Sequence, residues 1–202
     1  MDKKKLAACS ILILFLNSFC FAGRWKMFAP GVDNPANVFF TSSKNGVITG
    51  DAFNGNLPTS PIRWTNDGGK KWHGAKIELA GSVKYYNLTG LWFSNNKTGW
   101  VVANVWIPVK GSKTKTVIKS ILLKTMDGGK TWIKQGLPAN IRLFSNIWFD
   151  KKNKNGWLIS GWIGNTIWKT KDGGRTWRTV TVPGNGGSAF YVRVLCFFLF
   201  QG

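Results

Sequence analysis

The chain has 202 residues, enough for one or two domains with a buried core. Its 44% hydrophobic content, with 12 Trp, excludes low-hydrophobicity disorder, and its 24 Gly follow no three-residue period, which excludes a collagen-like helix. There are 28 Lys and Arg against eight acidic residues, for a formal charge of +20, so enzymes that need several carboxylates start at a disadvantage.

From the N-terminus, Asp2-Lys3-Lys4-Lys5 is a basic head, residues 6–21 are mostly apolar, and Cys20 and Ala22 stand at the minus-three and minus-one positions of a cut before Gly23. This is the three-part pattern of a secretory signal peptide over residues 1–22, and it predicts an exported, periplasmic or extracellular protein. The alternative is an uncleaved anchor, which Asn17 and Ser18 weaken. Cleavage would remove three Lys and one Asp, taking the charge from +20 to +18, and would leave Cys196 as the last cysteine. The mature chain then has no internal disulfide. With one His, one Cys and no clustered carboxylates it offers no metal site, and no cofactor is expected.

Three segments then carry one motif: Thr65-Asn66-Asp67-Gly68-Gly69-Lys70-Lys71-Trp72, Thr125-Met126-Asp127-Gly128-Gly129-Lys130-Thr131-Trp132 and Thr170-Lys171-Asp172-Gly173-Gly174-Arg175-Thr176-Trp177. Upstream of each stands an aromatic run, a polar turn, then Gly and an apolar strand: Val38-Phe39-Phe40 to Gly46-Val47, Leu91-Trp92-Phe93 to Gly99-Trp100, and Ile147-Trp148-Phe149 to Gly156-Trp157. The Asp-to-Asp spacings, 60 and 45 residues, are those of propeller blades and similar repeats. Short β-branched and aromatic runs bounded by Gly, Asn, Ser and Lys read as strands, and no segment after residue 23 keeps a helical period. Each unit is therefore expected to hold four strands, with the Asp-Gly-Gly turn between the third and fourth. The Asp side chain would accept hydrogen bonds from its own turn, and Trp72, Trp132 and Trp177 would fill the space between sheets.

The Thr-x-Asp-Gly-Gly-Lys/Arg-Thr-Trp motif resembles the Asp-box of the BNR repeat. With the preceding Phe…Gly-Trp element, it resembles more narrowly the photosystem II stability/assembly factor-like group of propellers. The resemblance covers residues 37–183, with Lys71 in place of the usual Thr in the first box. It implies an all-β fold, a partial β-propeller of about three four-stranded blades, at approximately 33–80, 86–138 and 142–183 within a propeller region of 23–187. Residues 25–30 resemble the strand that follows each box, which suggests an orphan strand closing a ring. Three blades fall short of the usual four to eight. Residues 188–202 read as an incomplete next blade or an aberrant tail. The expectation is a truncated remnant of a longer propeller, with self-association of copies to complete the ring as the other possibility.

The resemblance implies an assembly-factor-like, non-enzymatic binding role. In sialidases that share the box, the box lies away from the active site, so Asp67, Gly68, Gly69, Asp127, Gly128, Gly129, Asp172, Gly173 and Gly174 are expected to be structural. A sialidase-like glycoside hydrolase or a glycan-binding remnant is the alternative. It lacks a readable Tyr-Glu pair, and Arg63 stands in Pro-Ile-Arg order instead of the family's Arg-Ile-Pro. His73 is expected to face solvent. Opposite the boxes, the second blade has the longest insertion, 28 residues from Gly99 to Asp127 against 21 and 16 in the other blades. Lys110, Lys113 and Lys115 in it, with Lys84, Tyr85, Tyr86 and Arg142 between blades, form a candidate basic and partly aromatic surface. A solvated basic loop explains the same residues. The expected partner is a protein or an anionic envelope glycan or lipid. Nucleic acid is disfavoured, since an exported protein seldom meets it and no nucleic-acid module is visible.

Overall fold

The computed structural model describes residues 30–53, 60–78, 85–112, 115–137, 143–160 and 166–181. Every regular element among them is a strand. The signal-peptide segment, residues 25–29 of the expected orphan strand, Cys196 and the tail from 188 lie outside the described residues, as do Lys84, Lys113 and Arg142.

The first blade is an antiparallel sheet of β1 (Asp33–Phe40), β2 (Gly46–Phe53), β3 (Ile62–Thr65) and the short β4 (His73–Gly74). The second runs β6 (Tyr85–Phe93), β7 (Gly99–Pro108), β8 (Thr116–Thr125) and β9 (Thr131–Gln135). The third runs β10 (Phe144–Phe149), β11 (Gly156–Ser160), β12 (Thr166–Thr170) and β13 (Arg178–Thr181). Each polar turn and each Asp-Gly-Gly turn falls between strands where the repeat places it, so the chain is a partial all-β propeller, with three blades among the described residues. One departure is local. After Gly74 the first blade's outer strand breaks, and β5 (Lys76–Glu78) lies parallel to β9 of the next blade, with Lys76 opposite Thr131 and Glu78 opposite Ile133. The first two sheets also meet where Ala52 and Phe53 of β2 pair with Tyr86 and Tyr85 of β6.

The cores lie between blades. Val47 and Ile62 of the first blade pack with Leu91, Phe93, Val101, Ala103, Leu123 and Trp132 of the second. Trp100, Val102 and Leu122, on the other face of the same second sheet, pack with Phe144, Ile147, Phe149, Leu158 and Trp177 of the third. Successive residues of a strand point to opposite faces, so a central blade covered on both sides reads as a continuous apolar run. Trp100-Val101-Val102-Ala103 in β7 is that run, and all four are fully buried.

The aromatic-turn-Gly element has one geometry in all three blades. The ring of Phe40, Phe93 or Phe149 lies flat over Gly46, Gly99 or Gly156, its partner in register across the first hairpin. A Cβ on those glycines would stand 2.7, 2.7 and 2.6 Å from a ring carbon, which no side chain permits without displacing the ring. The box Trp of the same blade meets that Phe edge-on, with centroids 6.2, 6.0 and 6.0 Å apart. The residue after the glycine then docks on the next blade: Val47 reaches Gly129, and Trp100 stacks on Phe149 with centroids 3.9 Å apart and planes 12° off parallel.

Buried polar groups fasten the joint between the second and third blades. The Phe144 carbonyl accepts from Thr89 Oγ1 (2.7 Å) and Asn104 Nδ2 (3.2 Å), and Trp92 Nε1 donates to the Phe149 carbonyl (2.9 Å).

Candidate functional site

The two ends of the blades differ in chemistry. At one end stand the three Asp-Gly-Gly turns. Asp67 Oδ1 accepts from Thr65 Oγ1 (2.8 Å) and the Lys71 amide (3.0 Å). Asp127 Oδ1 accepts from Thr125 Oγ1 (2.8 Å) and the Lys130 and Thr131 amides (3.0 and 2.9 Å). Asp172 repeats this pattern with Thr170, Arg175 and Thr176, and its Oδ2 also accepts from the Thr176 hydroxyl (2.5 Å). The glycines hold positive φ, from 74° to 94°, which the turn requires of them. The first glycine of each pair also donates its amide to the polar turn of its own blade: Gly68 to Lys44, Gly128 to Lys97 and Gly173 to Lys154, at 2.9 to 3.0 Å.

These bonds hold all three carboxyls below the usual carboxylate range. The largest cause is the Lys71 amide for Asp67 and the Thr176 hydroxyl for Asp172. For Asp127, burial pushes upward and the bonds from Thr131 and Thr125 outweigh it. Such carboxylates are ionised acceptors with Oδ1 engaged by the turn in all three boxes and Oδ2 engaged as well in Asp172, which suits scaffolding and leaves them poor general acids. Trp132 and Trp177 tie the turns to the core by donating Nε1 to the Gly129 and Gly174 carbonyls (2.9 and 3.1 Å). Trp72, at the open side of the first blade, is only partly covered.

The other end carries the candidate binding residues. Tyr85 stands opposite Trp106 across β6 and β7, their rings 4.6 Å apart. Beyond Trp106 the β7–β8 hairpin runs on to a tip closed by the Val109 amide on the Lys115 carbonyl (3.0 Å) and by the Lys115 amide on Ser112 Oγ (3.1 Å). Lys110 and Lys115 are exposed on that tip, about 10 Å past the tyrosine at strand rise. Tyr86 points instead into the core between the first two blades, and burial pushes its phenol up. Thus Tyr85, Lys110 and Lys115 share one end of the second blade, while Tyr86 is largely committed to packing.

Asp51, Asn87 and Trp106 belong to the same end, and no local pattern in the sequence marks them as doing so. Asn87 Nδ2 donates to Asp51 Oδ1 (3.0 Å) across the first two blades. The two residues are 36 positions apart, and only the pairing of β2 with β6 brings them together. Burial, then the Asp51 charge and hydrogen bond, push the Tyr85 phenol above its usual value. A tyrosine with a carboxylate partner is therefore present, but in its protonated, weakly nucleophilic form. Arg63 donates to the Trp72 carbonyl (3.3 Å) at the first blade's edge. His73 is exposed and stacks on Trp64, centroids 4.5 Å apart. Among the described residues, no group of three His, Cys, Asp or Glu could hold a metal ion, and no helix is long and apolar enough to cross a membrane.

Among solved structures the fold resembles "YCF48 bound to D1 peptide", at 22% identity and a TM-score of 0.54 over 76% of this chain and 42% of that one. It also resembles YCF48 from Cyanidioschyzon merolae, at 19% identity and a TM-score of 0.51 over 77% of this chain and 42% of that one. The chain thus spans under half the length of the propellers it matches. No protein-family model matches the sequence, and comparison with curated proteins gives no match.

Proposed function

We propose that this chain is a non-enzymatic binding module, exported from the cytoplasm, that holds a protein segment against the end of the propeller opposite the Asp-Gly-Gly turns. The observation that carries the reading is the separation of roles between the two ends. One oxygen of each turn carboxylate accepts from the backbone of its own turn. The opposite end joins the Tyr85–Trp106 pair, the Asp51–Asn87 bond and the exposed Lys110 and Lys115 on a projecting hairpin. Aromatic faces with a few placed polar groups and a cationic rim suit an extended, acidic peptide. Likeness to a propeller solved with a bound peptide, and the resemblance to assembly-factor-like repeats, support a protein partner over a glycan or a lipid headgroup.

The test uses the full chain without residues 1–22, titrated with a fluorescent acidic peptide and, separately, with phosphatidylglycerol vesicles. Replacing Lys110, Lys113 and Lys115 with Ser should weaken peptide binding roughly tenfold at low salt and flatten its salt dependence. Unchanged peptide binding in the triple variant overturns the surface. Binding of vesicles without peptide transfers it to an anionic lipid. Cleavage of a fluorogenic sialoside, lost on changing Arg63, would overturn the non-enzymatic reading. Export is tested by sequencing the N-terminus of envelope-fraction protein, which should begin at Gly23.

A further inference from the structure

The three blades allow one surface to be compared with two filled versions of itself. Val38, Leu91 and Ile147 are equivalent, as are Phe40, Phe93 and Phe149, and the box Trp of each blade completes the patch. In the second blade this patch is covered by the first: Leu91 and Phe93 are 8% and 4% exposed. In the third it is covered by the second: Ile147 and Phe149 are 3% and 1% exposed. In the first blade Val38 is 59% and Phe40 45% exposed. The patch is built in the same way, with Phe40 flat on Gly46 and edge-on to Trp72, and among the described residues it lacks the cover that its two counterparts have.

The cover is also identifiable. Val47 fills the patch of the second blade; Trp100, with Val102 and Leu122, fills that of the third. The residues of the third blade in the same positions are Trp157, Ile159 and Ile167, all partly exposed. Trp157 lies against Trp148, centroids 4.9 Å apart, with Lys169 Nζ 5.1 Å above its ring. Lys124 takes the same position over Trp100, 5.5 Å from the ring, so the Lys–Trp arrangement is compatible with a docked blade.

We infer that the Val38–Phe40–Trp72 face of this chain receives the Trp157–Ile159–Ile167 face of a second copy, repeating between molecules the joint that Trp100 and Phe149 make within one. This inference is independent of the peptide surface at the loop end. The contact is head-to-tail, so it closes a ring if the rotation permits and otherwise extends. Both copies are strongly basic, with a formal charge of +20 each, so association should strengthen as added salt screens their repulsion.

The test is light scattering on a sizing column, with Phe40→Ser and Trp157→Ser measured alone and mixed. Each variant keeps one intact face, so each alone should be monomeric. The equimolar mixture should form a discrete species of twice the single-chain mass, since one intact joint remains and cannot propagate. Thermal unfolding of each variant checks that it folds, and Phe40→Leu, which keeps an apolar side chain, should retain most of the wild-type association. Three results overturn the inference: a wild-type chain that stays monomeric up to about 100 μM, which would mean that the chain's own terminal segments or nothing fills the face; association that survives in both single variants; or a mixture that stays monomeric although both variants fold.

Discussion

Substituting Ala at Gly46, Gly99 and Gly156 should separate the blades by how tightly each ring is held. None of the three glycines has the left-handed φ that would strain an alanine, and Ala in a strand otherwise gains about 0.5–1 kcal/mol over Gly. The cost is therefore steric. A Cβ would sit 2.6 to 2.9 Å from three ring carbons at each site, against about 3.5–4.0 Å for comfortable contact, so the ring must move by roughly 1 Å. Phe149 cannot move that far, because Trp100 stacks on its other face at 3.9 Å and Trp177 blocks its edge. Phe93 is hemmed in by Phe39 and Trp132. Phe40 is 45% exposed and can swing outward. With overpacking near the upper end of about 1–3 kcal/mol, Gly156→Ala and Gly99→Ala should each lose about 2 kcal/mol net, and Gly46→Ala under about 0.5. In thermal unfolding that is a drop of about 4–8 °C for the first two and almost none for the third. Gly99→Ala combined with Phe93→Leu should lose less than the two changes summed, since the smaller side chain relieves the clash. The comparison is made on protein dilute enough to be monomeric, where no second copy covers Phe40; there, an equal loss at all three glycines would refute the argument, because it would mean that cover by a neighbouring blade does not decide the cost.

Two further expectations concern the turns. Lys71→Thr should stabilise the first blade by about 0.5–1 kcal/mol, read as a higher urea midpoint. It restores the hydroxyl donor that Thr176 supplies to Asp172 and that the first turn lacks, and an unchanged midpoint would remove that hydroxyl from the account. Acid should unfold the chain through the same turns. Each Asp is held below its usual value in the fold, so its contribution is complete above about pH 4 and is lost as pH falls below that. The melting temperature should therefore drop steeply between about pH 4 and pH 2. Asp172→Asn should lower the neutral-pH value and shrink that drop; an undiminished drop would place the acid sensitivity elsewhere.

The repeat made the blades legible because each element has a local cause. The Gly pair requires its turn, the Phe requires a glycine opposite it, and the alternation of Val38-Phe39-Phe40 or Leu91-Trp92-Phe93 sets which side chains face the neighbouring blade. The parallel pairing of β5 with β9 has no such cause within its own sequence. Lys76-Ile77-Glu78 is a three-residue stretch with no pattern, and its partner is set by how the second blade lies against the first. The partial exposure of Trp72 is likewise invisible in a motif it shares with Trp132 and Trp177, because burial of a box tryptophan depends on a preceding blade and not on the box.

The end opposite the turns follows the same division. Lys110 and Lys115 could be assigned to a projecting loop because insertion length is a sequence property. Tyr85 and Tyr86 are adjacent in sequence, and a strand sends adjacent side chains to opposite faces, so they could not both serve one surface. Which one packs inward was settled by Ala52 and Phe53 pairing with them, and that pairing also carried Asp51 to Asn87. A search for chemistry by clusters along the chain passes over Asp51, a single acid in a polar segment of a strongly basic protein. A search by position would find it. In a propeller, the residues gathered at the end opposite the fixed turns are those that end a second strand or begin a first one. Asp51 near the end of β2, Tyr85 at the start of β6 and Trp106 near the end of β7 all satisfy that rule, whatever their distance apart in sequence.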